Sequence, residues 1–161
     1  MVDYNPTSLK LPCVLGGRYE CLERIGSGGM GEVFRARHMG LERDVAVKLL
    51  SLGTGQIGHE ERIKERFRRE AVALSRLRHP NTVQVIDFGW TDDGRPYIVT
   101  ELLTGNTLDV LLRREGPLDS MRAVNILNQI SKSLAEAHGH RIVHRDLKPS
   151  NIFIMEAFGA K

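Results

Sequence analysis

Long apolar runs are absent from the sequence, and none approaches the roughly 18 residues that a membrane-spanning helix needs. No signal peptide is predicted either, because the stretch from Met1 to Leu15 has no basic start followed by an apolar segment. Cysteine is scarce: Cys13 and Cys21 are too few for a disulfide framework and suit a reducing cytoplasm, which is the predicted location. These two cysteines could form a redox pair, but two separate thiols are the favoured interpretation.

A strong charge of either sign is also missing. The 161 residues include 23 Lys or Arg and 20 Asp or Glu, which leaves a formal net charge of +3. So small an excess gives little reason to expect nucleic-acid binding, and a mixed solvated surface is favoured. Hydrophobic residues make up 41% and charged residues 27% of the chain, both ordinary for a globular protein. The composition excludes a disordered tail, a collagen-like chain and a low-complexity linker.

The periodicity of the apolar residues predicts strands before helices. Residues 1–17 carry prolines and glycines without periodicity, so we expect a leader with little structure. Alternation predicts strands over residues 18–25, 32–38, 44–50, 82–88, 97–101 and 152–155. The third of these strands is mostly apolar and is therefore expected to be mostly buried.

Helices are predicted where apolar residues recur at three- and four-residue steps, over residues 59–77, 108–114 and 119–138. The first is heavily charged, and a solvated charged face is favoured over a site for an acidic partner. The third is expected to bury a stripe made of Val124, Leu127, Ile130, Leu134 and Ala137. Five strands with one inserted helix, followed by helices, predict an α+β fold in two lobes.

A glycine-rich stretch separates the first two predicted strands and is the first candidate site. It reads Gly26-Ser27-Gly28-Gly29-Met30-Gly31, with Val33 two residues further on. A dinucleotide-binding fingerprint has the same glycine spacing but opens a helix, whereas the residues that follow here alternate and predict a strand. Glycines let a backbone close over a polyphosphate with its N–H groups directed at the phosphates. A flexible hairpin that binds nothing stays open as an alternative.

A lysine stands in the third predicted strand, Val45-Ala46-Val47-Lys48. A lysine in a buried apolar strand is costly unless it is paired or functional. Glu70 is a candidate partner, since it lies mid-helix on the same broad face as Phe67 and Leu74, although the helix carries other acids. An ion pair between Lys48 and Glu70 would hold the ammonium group ready for a phosphate. A strand-end lysine that reaches to water is the alternative.

The stretch His144-Arg145-Asp146-Leu147-Lys148-Pro149-Ser150-Asn151 is the most specific signal. It places an Asp, a Lys and an Asn in one loop before an apolar strand. The carboxylate of Asp146 could orient a hydroxyl and accept its proton, and Lys148 could neutralise a moving phosphoryl group. The amide oxygen of Asn151 suits Mg²⁺, which prefers oxygen ligands. A polar turn is the alternative.

These three motifs, in this order, resemble those of eukaryotic-type (Hanks-type) serine/threonine protein kinases, and the stretch GSGGMGEVFRARH is most similar to bacterial members. Lys148, two residues after Asp146, is typical of serine/threonine rather than tyrosine kinases. The resemblance implies a two-lobe fold with a complete five-stranded antiparallel N-lobe, one long helix and an incomplete helical C-lobe. The implied boundaries are a leader at 1–17, the N-lobe at 18–102 and the partial C-lobe at 103–161.

Roles for individual residues follow from the resemblance alone. The substrates would be ATP, held with Mg²⁺, and a protein with a Ser or Thr hydroxyl. Asp146 would be the catalytic base, Lys148 a transition-state cation and Asn151 a Mg²⁺ ligand. Lys48, paired with Glu70, would hold the α- and β-phosphates. The other residues that would contact the nucleotide are Ile25, Gly26, Ser27, Gly28, Gly29, Gly31, Val33, Ala46, Thr100, Glu101, Leu103 and Phe153.

The sequence departs from the family after the catalytic loop. Only the ten residues 152–161 follow Asn151, too few for the hairpin, the Asp-Phe-Gly metal ligand and the activation segment that the family has next. Ala157-Phe158-Gly159 comes too soon to be a degenerate copy of that ligand. We therefore expect truncation before the motif, negligible phosphotransfer by this chain alone, an unpaired strand at 152–155 and exposed apolar surface on the third helix.

Other functions stay open or lose support. A short chain that binds a nucleotide or a kinase lobe without chemistry is the alternative function, and a small-molecule kinase of related fold is a weaker third. His138, His140 and His144 could suggest a metal site, but they match the family's approach to the catalytic loop. Self-association of kinase chains is a further implied interaction. A longer product could carry a membrane anchor further along, as bacterial relatives often do.

Overall fold

The computed structural model describes residues 9–28, 31–51 and 60–155, and they form two compact units. The first unit contains the described residues up to Arg76 and the segment Gln84–Leu102. The second contains the described residues from Leu103 onward and the loop Leu77–Val83, which falls inside the predicted N-lobe at 18–102. None of the helices in these ranges combines the length and the apolar composition that crossing a bilayer requires.

The first unit is built on a six-stranded antiparallel sheet with the strand order β1-β2-β3-β4-β6-β5. Its strands are β1 (Cys13–Leu15), β2 (Tyr19–Gly28), β3 (Gly31–His38), β4 (Arg43–Leu50), β5 (Val85–Trp90) and β6 (Pro96–Glu101). The strands β2 to β6 correspond to the first five of the six predicted strands.

The sixth strand, β1, lies within the predicted leader. Gly16 and Gly17 have φ values of +55° and +67°, and they turn the chain so that the Arg18 N–H donates to the Leu15 carbonyl at 3.1 Å. Such φ values suit glycine, so the two glycines close a hairpin rather than mark an unstructured segment. Leu15 is 5% exposed, and its burial holds the short strand on the sheet.

Strand β4 is buried on one face only. Val45, Val47 and Leu49 are 0%, 0% and 2% exposed, whereas Lys48 between them is exposed. The expectation of a mostly buried strand is therefore wrong, because an antiparallel sheet can cover one face of a strand and leave the other open. The buried face belongs to a core cluster that comprises Leu15, Tyr19, Cys21, Phe34, Ala36, Val45, Val47, Leu49, Tyr97 and Val99.

Helix α1 (Glu60–Leu74) packs against β5 within the first unit. The ring of Phe67 lies 6.0 Å from that of Phe88 and 5.5 Å from that of Trp90, both edge to face. Ala71, one turn later, is 1% exposed. The helix ends three residues before the predicted end, and the predicted start at residue 59 lies outside the described residues.

The second unit contains two helices and a small sheet. Its elements are β7 (Gly105–Thr107), α2 (Leu108–Glu115), α3 (Ser120–Gly139), a 3-10 turn at Pro149–Asn151 and β8 (Phe153–Met155). Strand β8 pairs with β7, so the expectation that the last strand has no partner is wrong. Strand β7 is not predicted from the sequence, because three residues are too few to show an alternating pattern.

Helix α3 holds the loop Leu77–Val83 through polar side chains. The carboxylate of Glu136 accepts hydrogen bonds from the N–H groups of Arg78 and His79 at 2.9 and 3.1 Å. The hydroxyl oxygens of Ser133 and Thr82 lie 2.6 Å apart. Since Ser133 and Glu136 are three residues apart, they share one face of the helix.

The apolar stripe predicted for α3 is mostly open to solvent. Ala137 is 8% exposed, but Val124 and Leu127 are 59% and 60% exposed. The prediction of a buried stripe is wrong for these two residues, and the expectation of exposed apolar surface on this helix is met.

Candidate active site

The glycine-rich stretch forms the tip of the β2–β3 hairpin, where Gly28 pairs with Gly31. Gly31 has a φ of +133°, and a Cβ there would overlap the carbonyl oxygen of Leu49 on β4, so the fold itself requires glycine. Among the described residues, a Cβ at Gly28 would meet nothing within 4 Å, and one at Gly26 would make only ordinary contact with Val33. Packing therefore gives no reason for glycine at positions 26 and 28, which is consistent with close approach of a ligand.

The register of the sheet places four predicted contact residues on one face. Lys48 pairs with Val33, and Ala46 pairs with Thr100. Paired residues share a face, as do residues two apart in a strand. The four side chains therefore lie on the face opposite the core cluster, to which Val45 and Val47 belong.

The other predicted nucleotide contacts of the first unit lie in or next to strands β2 and β6. Ile25, at a register shift in β2, is 49% exposed, and Ser27 is exposed as well. Gly29 lies outside the described residues. Glu101 ends β6, and its carbonyl oxygen accepts a hydrogen bond from the Thr100 hydroxyl at 3.1 Å.

Among the described residues, Lys48 and Glu70 do not form the predicted ion pair. Glu70 instead accepts a hydrogen bond from Arg66 Nε at 2.9 Å, and its side chain is 61% exposed. The packed stripe of α1 runs through Phe67 and Ala71, which leaves Glu70 outside the packed contact. Lys48 is exposed on its own face of the sheet, where an anionic ligand could reach it.

The catalytic-loop candidates come together in the second unit. Lys148 Nζ lies 2.9 Å from Asp146 Oδ2. Asn151 Nδ2 donates to the same carboxylate at 3.0 Å and to the Asp146 carbonyl oxygen at 2.8 Å. Arg145 adopts a φ of +60°, and the 3-10 turn Pro149–Asn151 follows, so a sharply bent loop brings the three side chains together. Asp146 and Lys148 are 43% and 45% exposed, which leaves the cluster open to a substrate.

The charges of this cluster favour an ionised aspartate. Hydrogen bonds from Lys148, and after it from Asn151, hold the pKa of Asp146 below its ordinary value. An ionised carboxylate can accept a hydrogen bond and then a proton from a hydroxyl group. Asn151 uses its amide N–H groups on Asp146, and its Oδ1 is an oxygen of the type that Mg²⁺ prefers. Asn151 therefore offers one oxygen ligand of the kind that Mg²⁺ takes, and the carboxylate of Asp146 lies beside it.

The last two predicted contact residues belong to the second unit. Leu103 is its first residue after β6, and Phe153 opens β8 opposite Thr107; both are half-buried. Within the described ranges, no group of three or more His, Cys, Asp or Glu side chains is placed to hold a metal. The alternative of a three-histidine metal site gains no support.

The string Asp87-Phe88-Gly89, which is not among the predicted site residues, has the same letters as the Asp-Phe-Gly metal ligand that the resemblance calls for. The structure places this string in β5, ahead of the catalytic loop in the chain. Asp87 Oδ2 accepts a hydrogen bond from Tyr19 at 2.7 Å and pairs with Arg18 at 2.9 Å. Phe88 packs on Phe67 of α1. The string is thus part of the framework of the first unit.

Comparison with known proteins decides the family. A profile of the protein kinase domain matches residues 19–160. The chain belongs to the protein kinase domain family. This kinase-family chain is 44% identical over 137 residues to serine/threonine-protein kinase pkn3 of Myxococcus xanthus, covering 85% of this chain and 24% of that one. It is also 44% identical over 140 residues to serine/threonine-protein kinase PrkC of Bacillus subtilis, covering 87% of this chain and 21% of that one.

A solved structure agrees with this assignment. The kinase-family chain matches the crystal structure of the Mycobacterium tuberculosis PknI kinase domain with a TM-score of 0.80 and 27% identity, over 92% of this chain and 60% of that one. The resemblance to bacterial Hanks-type serine/threonine kinases and the two-lobe α+β fold class are confirmed. The chain spans less than a quarter of the length of pkn3 and of PrkC.

Proposed function

We propose that this chain carries the nucleotide-binding and phosphoryl-transfer residues of a serine/threonine protein kinase. Such an enzyme moves the γ-phosphoryl group of ATP to a Ser or Thr hydroxyl of a protein. The observation that supports this most is the solvent-open carboxylate of Asp146 with Lys148 and Asn151 hydrogen-bonded to it. The names of the relatives in M. xanthus and B. subtilis support the same class of enzyme.

In the proposed mechanism, Asp146 accepts a hydrogen bond from the substrate hydroxyl and takes its proton as the new O–P bond forms. Because its pKa is held low, Asp146 is ionised before the step, and orientation of the hydroxyl is its main contribution. Lys148 neutralises negative charge that develops on the transferred group. Asn151 would hold Mg²⁺ through its Oδ1, and that ion supplies positive charge to the phosphates when bound.

The first unit is proposed to bind the nucleotide on the sheet face opposite its core. On this face, adenine would pack against the small side chain of Ala46 and the apolar side chain of Val33. Gly26 and Gly28 allow backbone N–H groups to approach the phosphates, since packing against the described residues places no other demand on them. Lys48 supplies the positive charge on the same face.

Titration of the purified chain with MgATP tests the nucleotide site. We expect saturable binding that Lys48→Met weakens about ten- to hundredfold, since a hydrogen bond to a charged group is worth about 1.5–3 kcal/mol. Lys132→Met, at an exposed position of α3, is the matched control and should bind like the parent chain. Equal affinity of the Lys48→Met variant and the parent chain would contradict the proposal.

A phosphotransfer assay with radiolabelled ATP and a generic basic protein tests the chemistry. We expect negligible transfer by the 161-residue chain, because its sequence after Asn151 supplies no Asp as a second metal ligand. Transfer that Asp146→Asn abolishes would overturn that expectation and establish the activity directly. A longer product that contains such an Asp should phosphorylate protein. If it binds ATP without transfer, a nucleotide-binding module is favoured, and transfer to choline or an aminoglycoside would indicate a small-molecule kinase.

A further inference from the structure

The two cysteines, which the sequence separates by seven residues, lie directly opposite each other in the sheet. Cys13 of β1 and Cys21 of β2 are partners in the antiparallel register. Paired residues project from the same face, and both side chains pack in or against the core cluster. The two thiols also share a hydrogen bond. Both sulfur atoms are therefore neighbours in the folded chain.

We propose that Cys13 and Cys21 are a reversible disulfide site, oxidised by small disulfides such as oxidised glutathione and reduced again by thiols. Residues that are paired across an antiparallel ladder have Cα atoms about 4.5–5.5 Å apart. A disulfide joins Cα atoms that are about 4.4–6.8 Å apart. The bond can therefore form without a change of register between β1 and β2.

The two thiols are unequal, which sets the order of the reaction. Cys13 is half-buried on β1, the edge strand of the sheet, whereas Cys21 is 0% exposed on the adjacent strand. Burial raises the pKa of both thiols, and that of Cys21 reaches about 12. For Cys13 this rise is opposed by the hydrogen bond from Cys21 and by the charge of Arg95. Cys13 is thus the thiol that reacts first, and Cys21 is the thiol that resolves.

The chemistry is a pair of thiol–disulfide exchanges. The Cys13 thiolate attacks one sulfur of oxidised glutathione, forms a mixed disulfide and releases one glutathione thiolate, which takes up a proton. Cys21 then loses its proton and attacks the Cys13 sulfur, which releases the second glutathione. The protein loses two electrons and two protons, and one oxidised glutathione becomes two reduced molecules.

Oxidation would join the edge strand covalently to the strand that leads into the glycine-rich hairpin. Strand β1 has only three residues and is paired on one side, so among the described strands it is a candidate for local opening. The disulfide removes that opening. We expect the amide hydrogens of β1 to exchange at least about tenfold more slowly in the oxidised chain than in the reduced chain.

The test is incubation of the purified chain with oxidised glutathione, followed by intact mass measurement and tryptic mapping. The parent chain should lose the mass of two hydrogen atoms and retain no glutathione. Trypsin cleaves after Lys10, Arg18 and Arg24, so the linked peptides 11–18 and 19–24 should appear together and separate on reduction. The Cys21→Ser variant should retain one glutathione on Cys13, because nothing resolves the mixed disulfide.

The Cys13→Ser variant makes the order of reaction testable. Its remaining thiol is buried, so it should react at least about tenfold more slowly than Cys13 does in the Cys21→Ser variant. Circular dichroism of both variants shows whether they are folded, and mapping of the parent chain decides the matter if one is not. Glutathione retained on both cysteines of the folded parent chain, or a disulfide between two chains in place of the linked peptides, would overturn the proposal.

Discussion

At the residue scale, the hairpin contains one glycine that the fold requires and another that it does not. Gly31→Ala should lower the free energy of unfolding by about 1–3 kcal/mol, because the φ of +133° and the nearby Leu49 carbonyl oxygen both oppose a side chain. Gly28→Ala should change it by no more than about 0.5 kcal/mol. Urea denaturation of the two variants measures both effects.

The same pair separates folding from binding. We expect Gly28→Ala to weaken MgATP binding about tenfold, equivalent to about 1.4 kcal/mol, since its Cβ would occupy space that the phosphates need. If the Gly28→Ala chain is stable and binds MgATP as tightly as the parent, this hairpin does not cover the phosphates.

The aspartate of the catalytic loop owes its low pKa to its neighbours. Lys148→Met should raise the pKa of Asp146 toward its ordinary value, because the first cause of the depression is the hydrogen bond from Lys148. Asn151→Ala should raise the pKa of Asp146 less, since the hydrogen bond from Asn151 lowers that pKa less than the one from Lys148 does. Carbon-13 NMR titration of the carboxyl group measures the change, and Lys132→Met is the control. In an active longer chain, Lys148→Met should move the acid limb of the rate profile to higher pH.

At the element scale, the sequence predicts strands and helices well where each has enough residues to show a period. The strands β2, β3 and β4 and the helices α2 and α3 lie within a few residues of their predicted positions. The short strands β1 and β7 were missed because three residues show no period, and partners elsewhere in the chain decide whether they form. A glycine pair before Arg18 was the available signal for β1, since it fits a hairpin turn.

Helix α1 shows where an element-level pattern is insufficient. The charged positions on this helix offer several acids, and only packing decides that Phe67 faces β5 while Glu70 bonds Arg66. If nucleotide binding draws Glu70 to Lys48, Glu70→Gln should weaken MgATP binding up to about fivefold, in line with an exposed ion pair of at most about 1 kcal/mol.

A double-mutant comparison tests this pairing. The double variant Lys48→Met, Glu70→Gln should bind little worse than Lys48→Met alone, because the two residues act together. Glu61→Gln, which removes another exposed acid of the same helix, is the control and should leave the affinity unchanged. Independent, additive losses in the double variant would mean that the pair does not form.

At the scale of the whole molecule, local motifs identify the family but not the contacts between distant segments. Three short strings were enough to indicate a bacterial Hanks-type kinase, which the comparisons confirm. The hydrogen bond from Tyr19 to Asp87 joins residues 68 positions apart, and no pattern in the sequence of either segment predicts it. That bond also explains why a familiar three-letter string in β5 has a structural role.

Two buried acidic groups of the first unit, the thiol of Cys21 and the phenol of Tyr19, should make the unit less stable as the pH rises into the alkaline range. Burial raises the pKa of Cys21 from 9.0 to about 12 and also raises the pKa of Tyr19. Above about pH 9 the unfolded chain releases the Cys21 proton while the folded chain still holds it, so the free energy of unfolding falls as pH rises. Cys21 contributes at most about 1.4 kcal/mol per pH unit above about pH 9, and Tyr19 contributes at most as much above about pH 10; neither affects the slope at lower pH.

Denaturation in the presence of a reductant, at pH values from about 7 to 11, measures this dependence. Cys21→Ala should be less stable than the parent chain at neutral pH, because a buried side chain is truncated, but its stability should fall less steeply above about pH 9. Cys13→Ala is the matched control: its thiol is half-buried and its pKa is raised less, so the slope should change less. Equal alkaline slopes in the parent chain and in Cys21→Ala would show that Cys21 ionises as readily in the folded chain as in the unfolded one.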